Sequence, residues 1–119
     1  GAELTSTQWE YYPQAIGAAV RYVASQVKVP IYVTENGIST DDDTRRIAFI
    51  DAALASLKDA IAAGVDLRGY FHWSLLDNWE WNEGFKPHFG LVAVDLKTFK
   101  RTPKPSAHHY GAIAKSNAV

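Results

Sequence analysis

The sequence predicts an α/β fold built on a β-α-β unit, and consecutive segments of the chain carry that prediction. "KVPIYVTE", residues 28–35, is a nearly continuous apolar run, which is typical of a strand covered on both faces. Apolar residues then recur at spacings of three and four from Ile47 to Ile61, as on one face of a helix that ends at Gly64. A further apolar run from Leu67 to about Ser74 predicts the next strand. Strands joined by one helix run parallel with a right-handed crossover.

Helices are predicted on both sides of this unit. Residues 8–27 form one, with Pro13 near its start and an apolar stripe from Ile16 to Val27. "FGLVAVDL", residues 89–96, predicts an extended segment, and "TPKPSAHHYGAIAKS", residues 102–116, predicts the last helix. A parallel sheet needs more strands to cover its edges, so we expect this inventory to be part of a larger domain.

The composition indicates a globular protein and excludes several classes of function. The chain has 119 residues, 47% hydrophobic content and a formal net charge of −1, which does not favour nucleic acid or anionic membranes as partners. It shows neither a secretion signal nor an apolar run of the roughly 20 residues that span a bilayer. Cysteine is absent, which does not fix the compartment, although the cytoplasm is favoured. Methionine is also absent, so we expect a processed start or a piece of a longer protein.

An aspartate cluster precedes the central helix. Acidic residues are stabilised at the positive end of a helix, so Asp41, Asp42 and Asp43 suit this place, with Asp43 or Thr44 as the predicted cap. The spacing lacks the alternating ligands and distal glutamate of a calcium loop. Capping is therefore the prediction for this cluster.

Carboxylates and large rings follow both predicted strands. Thr34-Glu35-Asn36-Gly37 ends the first strand, and "WSLLDNWEW", residues 73–81, follows the second. Each residue taken singly has a structural explanation as a turn, a cap or part of the core. Parallel strands place their carboxyl ends together, and functional groups gather there. Glycoside hydrolysis fits this pairing, because it uses carboxylates, and charged acceptors form strong hydrogen bonds to hydroxyl groups.

The same segments carry a resemblance to a known family. "YVTENG", "GYFHWSLLDNWEW", "FGLVAVD" and "RTPKPSA" resemble, in order and spacing, the C-terminal part of family 1 glycoside hydrolases, the β-glucosidases and their relatives. "QWEYYPQAI" is similar to the helix that precedes barrel strand 7 in that family. The resemblance covers essentially the whole chain. It implies that residues 1–119 are the C-terminal fragment of one (β/α)8 TIM-barrel domain, with strands 7 and 8 and their helices.

The resemblance also implies roles for individual residues. Glu35 matches the catalytic nucleophile, and Trp73 matches the ring against which the −1 sugar lies. Glu80 matches the acceptor for the 4- and 6-hydroxyls of that sugar, and its charge disfavours phosphorylated sugars. Trp81 matches an indole that donates to the same sugar, and Phe89 matches an aromatic residue of the pocket wall. Neither a cofactor nor a metal is implied.

The family's second carboxylate is not in this sequence. The acid/base glutamate of the family lies in a Thr-(Phe/Leu)-Asn-Glu-Pro motif on strand 4, and none of the five glutamates here precedes a proline. We therefore expect the isolated chain to be inactive and to need an N-terminal barrel fragment before it acts on a β-glycoside. The alternatives are a non-catalytic glycan-binding relative and a thioglucosidase-type relative that lacks the acid/base.

Histidines are predicted to stay outside the chemistry. If Trp73 points into the barrel, alternation along the strand directs His72 outward, where it packs. His88 lies at the predicted rim of the pocket, beside Phe89. His108 and His109 are adjacent on a helix and face different directions, which disfavours a metal pair.

Overall fold

The computed structural model describes residues 1–117, which contain the predicted β-α-β unit with a helix on each side. The elements are the helices α1 (Ala15–Gln26), α2 (Asp43–Ala62) and α3 (Pro105–Ser116), and the strands β1 (Ile31–Asn36), β2 (Leu67–His72), β3 (Val92–Val94) and β4 (Arg101–Pro103). A short 3₁₀ turn covers Trp81–Glu83. None of these helices is long and apolar enough to cross a membrane.

Strands β1 and β2 pair in parallel, as the sequence predicts. Ile31 lies opposite Leu67, and Asn36 lies opposite His72. The boundaries of both strands differ slightly from the prediction. Strand β1 begins at Ile31 and not at residue 28, and β2 ends at His72 and not at about Ser74. Within the described residues no further strand pairs with either outer edge of this sheet.

The helices cover one face of the sheet and leave the other face open. The core joins α2 to the sheet through the buried residues Val33, Ile50, Leu54, Leu57 and Leu91. Burying each such side chain contributes about 1.5–3 kcal/mol. On the opposite face, Tyr32 and Phe71 remain more than half exposed. An apolar sheet face of this kind is typical of an interior that other strands cover.

Helix α1 starts later than predicted. The helix begins at Ala15, while residues 8–14 form turns and a short antiparallel bridge between Leu4 and Glu10. The prediction of a helix over residues 8–27 was therefore wrong at its start. The stripe is also only partly covered, because Val20 is buried whereas Val23 and Val27 are exposed in this chain.

The aspartate cluster acts mainly at the start of α2, although the cap is one residue earlier than predicted. Asp42 is the N-cap, and its carboxylate accepts hydrogen bonds from the Thr44 amide at 2.9 Å and the Thr44 hydroxyl at 2.6 Å. These hydrogen bonds, that of the hydroxyl foremost, lower the pKa of Asp42. At the other end Gly64 has a φ of +92°, the conformation that favours glycine after a helix.

Residues 89–96 were predicted as an extended segment, and part of this segment forms one strand of a β-hairpin that the sequence did not predict. Strand β3 pairs antiparallel with β4, so that Val92 lies opposite Pro103 and Val94 lies opposite Arg101. Asp95 holds the turn between them by accepting from the amides of Lys97 and Thr98. The hairpin delivers the chain to the start of α3.

Gly17 sets the distance between α1 and α2. A Cβ atom at this position would lie 2.6 Å from the Ser56 carbonyl oxygen, which is closer than such atoms approach. Gly17→Ala is expected to lower the free energy of unfolding by about 1–2 kcal/mol, because overpacking outweighs the gain in helix propensity. Urea denaturation of the chain followed by circular dichroism measures the change.

Gly111→Ala is the matched control for this substitution. Gly111 lies in α3, and its added Cβ would meet no atom of the described residues within 4 Å. This variant should gain up to about 1 kcal/mol. Equal effects of the two substitutions would contradict the close approach at Gly17.

Candidate active site

Glu35 lies at the carboxyl end of β1 with its side chain exposed. The pairing register of β1 shifts between Val33 and Asn36, so the regular alternation of faces is interrupted next to the carboxylate. Such irregularities redirect side chains and are frequent beside active sites. The position is therefore suited to presenting a carboxylate to a ligand.

The ends of β1 and β2 are joined directly behind Glu35. The Trp73 amide donates to the Asn36 carbonyl at 2.9 Å, and the Tyr70 hydroxyl donates to the Asn36 side-chain oxygen at 3.0 Å. A Cβ atom at Gly37 would lie only 1.7 Å from the Trp73 carbonyl oxygen, so this position requires glycine. Asn36-Gly37 thus brings two backbones into contact in addition to turning the chain.

Trp73 and Glu80 are connected by their side chains. The indole Nε1 of Trp73 donates to Glu80 Oε1 at 3.3 Å. The Glu80 backbone is held by its own loop, because its amide donates to the Gly84 carbonyl at 2.7 Å and its carbonyl accepts from the Glu83 amide at 2.9 Å. The Glu80 carboxylate is thereby held beside the edge of the Trp73 indole ring.

An open cleft of about 400 Å³ brings three of the predicted site residues together. Its lining includes Glu80, Trp81 and Phe89, with residues 6–9 on the other side. Phe89 is only 5% exposed, whereas Trp81 is 83% exposed and has a large indole surface available for contact. Glu35 and Trp73 do not line this cleft; they adjoin it through the Asn36–Trp73 and Trp73–Glu80 hydrogen bonds.

Trp9 is a residue of this cleft that sequence reasoning missed. It is 64% exposed, and its ring centroid lies 6.2 Å from that of Phe89. The Thr5 hydroxyl accepts from the Trp9 amide at 3.1 Å, which holds Trp9 in a turn ahead of α1. Its position outside the apolar stripe of the predicted helix was the only available signal.

A buried arginine connects the loops around the site. Arg46 of α2 is 1% exposed, and its Nη2 atom donates to the carbonyls of Thr40 and His88, both at 2.6 Å. Its Nη1 atom donates to the Asp43 carboxylate, which also accepts from the amide and the hydroxyl of Ser106. Burial opposes ionisation of Asp43, but the hydrogen bonds from Ser106 and Arg46 hold its pKa below the usual range. No sequence pattern distinguished Arg46 from an exposed helical arginine.

Lys104 connects the start of α3 to the loop that follows β2. Its ammonium group donates to Asp77 Oδ1 at 3.0 Å and to the Gly90 carbonyl at 2.7 Å. The Gly90 amide donates to the same Asp77 oxygen at 2.8 Å. Burial lowers the pKa of Lys104, although the hydrogen bond to Asp77 opposes that shift. The segment beside Phe89 is thus held from α3.

His88 at the rim and His109 in α3 each contact a different aspartate. His88 Nδ1 lies 2.6 Å from Asp41 Oδ1 at an exposed position beside Phe89. His109 Nε2 lies 2.6 Å from Asp51 of α2. Within residues 1–117, no group of three or more histidine, cysteine or acidic side chains is arranged to hold a metal ion.

His72 packs behind the site, as alternation along β2 predicts. Its ring centroid lies 6.2 Å from that of Tyr110 in α3, and both ring nitrogens are buried. Burial lowers the pKa of His72 to about 4, and the nearby charge of Arg46 acts in the same direction. The imidazole is therefore neutral at neutral pH.

Solved structures similar to this chain define its class. It superposes on a β-glucosidase described as "Apo structure of a beta-glucosidase 1317" with a TM-score of 0.97 and 54% sequence identity, covering 100% of this chain and 30% of that one. A Thermotoga maritima β-glucosidase in complex with glucoimidazole gives a TM-score of 0.95 at 38% identity, over 100% of this chain and 29% of that one. The described strands and helices are thus the C-terminal portion of a (β/α)8-barrel glycosidase.

Sequence comparison identifies the family. The profile of Glycosyl hydrolase family 1 matches residues 2–119, and the chain belongs to this family. It is 39% identical over 111 residues to a β-galactosidase of Sulfolobus acidocaldarius, covering 93% of this chain and 23% of that protein. It is also 39% identical over 125 residues to β-glucosidase A of Thermotoga maritima, covering 97% of this chain and 28% of that protein.

A plant relative differs from these enzymes in its description. The chain is 44% identical over 110 residues to "Probable inactive beta-glucosidase 14" of Oryza sativa, covering 82% of this chain and 21% of that protein. The chain thus spans about a quarter of the length of the curated relatives that it matches.

His72 should make the stability of the chain fall in mild acid. The pKa of His72 is about 4 in the folded chain against 6.5 for an unperturbed histidine, so only the unfolded chain binds the proton between these values. The free energy of unfolding should therefore decrease as the pH falls from about 6.5 to 4, by up to about 3 kcal/mol. His72→Val should flatten this slope in urea denaturation measured across that pH range.

His108→Gln controls for the loss of an imidazole. His108 is exposed on α3, so this variant should keep the slope of the parent chain. A His72→Val variant with an unchanged slope would contradict the assignment.

Proposed function

We propose that this chain supplies the nucleophile and part of the sugar-binding site of a retaining β-glycosidase that hydrolyses terminal non-reducing β-D-glycosyl residues. Glu35, exposed at the end of β1 and joined through Asn36 to Trp73, is the observation that carries the proposal. The chain is the C-terminal fragment of a single barrel domain. An N-terminal part supplies the other strands and the acid/base glutamate, and the two parts together are called the complete barrel below.

The proposed reaction has two displacements. Glu35 attacks the anomeric carbon and forms a covalent glycosyl-enzyme, while the acid/base carboxyl group of the N-terminal part protonates the leaving oxygen. The same group then deprotonates a water molecule, which attacks the anomeric carbon and releases Glu35. Carboxyl groups about 5 Å apart are required for this retaining mechanism.

The cleft contributes to recognition of the sugar in this proposal. Trp73 offers a ring face to the sugar in the −1 subsite, and its hydrogen bond to Glu80 Oε1 orients that carboxylate. Glu80 then accepts hydrogen bonds from sugar hydroxyls, which are strong because the acceptor is charged. Trp81 donates to the same sugar, and Phe89 forms part of the wall.

The open sheet face supports the need for an N-terminal part. Tyr32 and Phe71 are exposed on an apolar face, and both edges of the sheet lack strand partners within the described residues. An interface that covers them would be large and apolar, like a domain core divided in two. A proton-transfer partner typically contributes roughly 10²–10⁴-fold to the rate of the reaction. We expect the isolated chain to hydrolyse glycosides at least this much more slowly than the complete barrel.

A non-catalytic glycan-binding protein is the second candidate, and the similarity to the rice relative described as probably inactive favours it. A complete barrel of this kind would retain the cleft and bind sugars without turnover. A thioglucosidase-type protein lacking the acid/base is a further variant of this alternative. Turnover of an aryl β-glucoside by the complete barrel separates the enzyme from the binding protein.

Glu35→Gln should reduce turnover by the complete barrel more than about 10³-fold, because it removes the nucleophile. A 2-fluoro-glycoside that traps the glycosyl-enzyme should label the peptide containing Glu35, as read by mass spectrometry. Glu10→Gln, an exposed carboxylate on another segment, is the control and should retain activity. Labelling at another residue, or turnover that survives Glu35→Gln, would overturn the assignment.

Glu80→Ser should reduce kcat/KM by about 10–100-fold, because a charged hydrogen-bond acceptor for the sugar is lost. The loss should be similar for substrates with different aglycones, since Glu80 contacts the glycon in this proposal. Glu10→Ser makes the same chemical change at an exposed glutamate outside the cleft and should have a much smaller effect. A Glu80 variant that mainly changes aglycone preference would contradict the assignment of Glu80 to the −1 subsite.

A further inference from the structure

The loops that follow β1 and β2 meet at a single buried guanidinium group. Arg46 Nη2 donates to the carbonyl of Thr40, in the loop after Glu35, and to the carbonyl of His88, which precedes Phe89. Both bonds are 2.6 Å long, and the side chain that makes them is 1% exposed. The loop that follows the proposed nucleophile and the segment bearing a wall of the cleft thus share one donor.

The backbone of His88 is held on both sides. Its amide donates to Ser39 Oγ at 3.2 Å, and its carbonyl accepts from Arg46 and also from the Thr40 amide at 3.2 Å. The next carbonyl, that of Phe89, accepts from the Ser74 amide at 3.2 Å. Phe89 therefore lies between an attachment to the first loop and an attachment to the residue after Trp73.

The chemistry of Arg46 suits this bridging position. A planar guanidinium donates in several directions at once, and Asp43 compensates its buried charge. A neutral aliphatic side chain would leave the Thr40 and His88 carbonyls without this donor. If Arg46 acted only on stability, its loss would lower the melting temperature without a selective effect on sugar binding.

We propose that Arg46 is a positioning residue, which places Phe89 against the sugar by holding the His88 carbonyl to the loop that follows Glu35. The inference rests on the proposed function, since the wall it places is that of the proposed sugar site. Arg46 itself lies behind this wall and is not proposed to contact the substrate.

The test compares Arg46→Met, Arg46→Lys and Ser106→Ala in the complete barrel. Ser106→Ala is the matched control, because Ser106 Oγ donates to the same Asp43 carboxylate from α3 and removing this hydroxyl leaves the Arg46 bonds to both loops in place. Steady-state hydrolysis of p-nitrophenyl β-D-glucoside gives KM and kcat, calorimetry gives the Kd of deoxynojirimycin, and thermal unfolding gives the loss of stability. Arg46→Met should raise KM and Kd about tenfold, because a displaced Phe89 contacts the sugar less well, with a smaller change in kcat.

Arg46→Lys should recover part of the affinity, since an ammonium group still donates to a carbonyl. Ser106→Ala should lower the melting temperature while KM and Kd stay at the parent values. Equal effects of Arg46→Met and Ser106→Ala on Kd, or an unchanged Kd in Arg46→Met, would overturn the positioning role.

Failure of the proposed function would be recognised separately. If the unsubstituted complete barrel does not hydrolyse the glucoside, the enzyme proposal fails, while the Kd series still tests Arg46. If the unsubstituted barrel does not bind deoxynojirimycin either, a crystal structure of the Arg46→Met variant tests whether Arg46 positions the His88–Phe89 backbone. A displaced His88–Phe89 backbone would support the inference, and an unmoved backbone would overturn it.

Discussion

The hydrogen bond from the Trp73 amide to the Asn36 carbonyl is the contact on which the candidate site depends. It extends the pairing of β1 and β2 to their carboxyl ends. Glu35 and Trp73 therefore lie at the same edge of the sheet, on neighbouring strands. It forms because Gly37 carries no side chain where the Trp73 carbonyl approaches. Any larger residue would separate the two strand ends, and with them the carboxylate and the ring.

The loops beyond this contact are held mainly by charged side chains, of which Arg46 is buried and the others are partly buried. Arg46 with Asp43 connects the first loop to α3, and Lys104 with Asp77 connects the second loop to the same helix. Charges withdrawn from water are costly unless they are paired, and each of these four groups has an oppositely charged partner. The two pairs therefore favour one arrangement of the loops, because a different arrangement would leave a charge unpaired.

Sequence patterns predicted the parts of the fold that depend on local periodicity. The helix from Asp43 to Ala62 and the two parallel strands follow from apolar spacing, and their boundaries agree within a few residues. The start of α1 and the β3–β4 hairpin did not follow from it. Trp9 and Tyr11 of the segment before α1 contact rings far along the chain, and β4 is a strand of Arg101–Pro103 that contains a proline.

The candidate site likewise contains residues that local sequence patterns reveal and residues that only tertiary contacts reveal. Carboxylates and rings after two strands were visible in the sequence, so Glu35, Glu80 and Trp81 were named from motifs. The positions of Trp9 and Arg46 in the structure depend on contacts between segments far apart in the chain; Arg46 and His88, for example, are 42 positions apart. A single sequence gives no pattern for contacts of this kind.

The attachment of Lys104 has a consequence for anyone who shortens or fuses this protein. Helix α3 is not an independent tail, because its N-cap residue Lys104 supplies the cation for Asp77 and a donor for the Gly90 carbonyl. A deletion that begins before Lys104 would release Gly90 and the segment beside Phe89, more than ten residues upstream of the cut. Affinity tags and fusion joints therefore belong beyond the end of α3, where they leave the ammonium group in place.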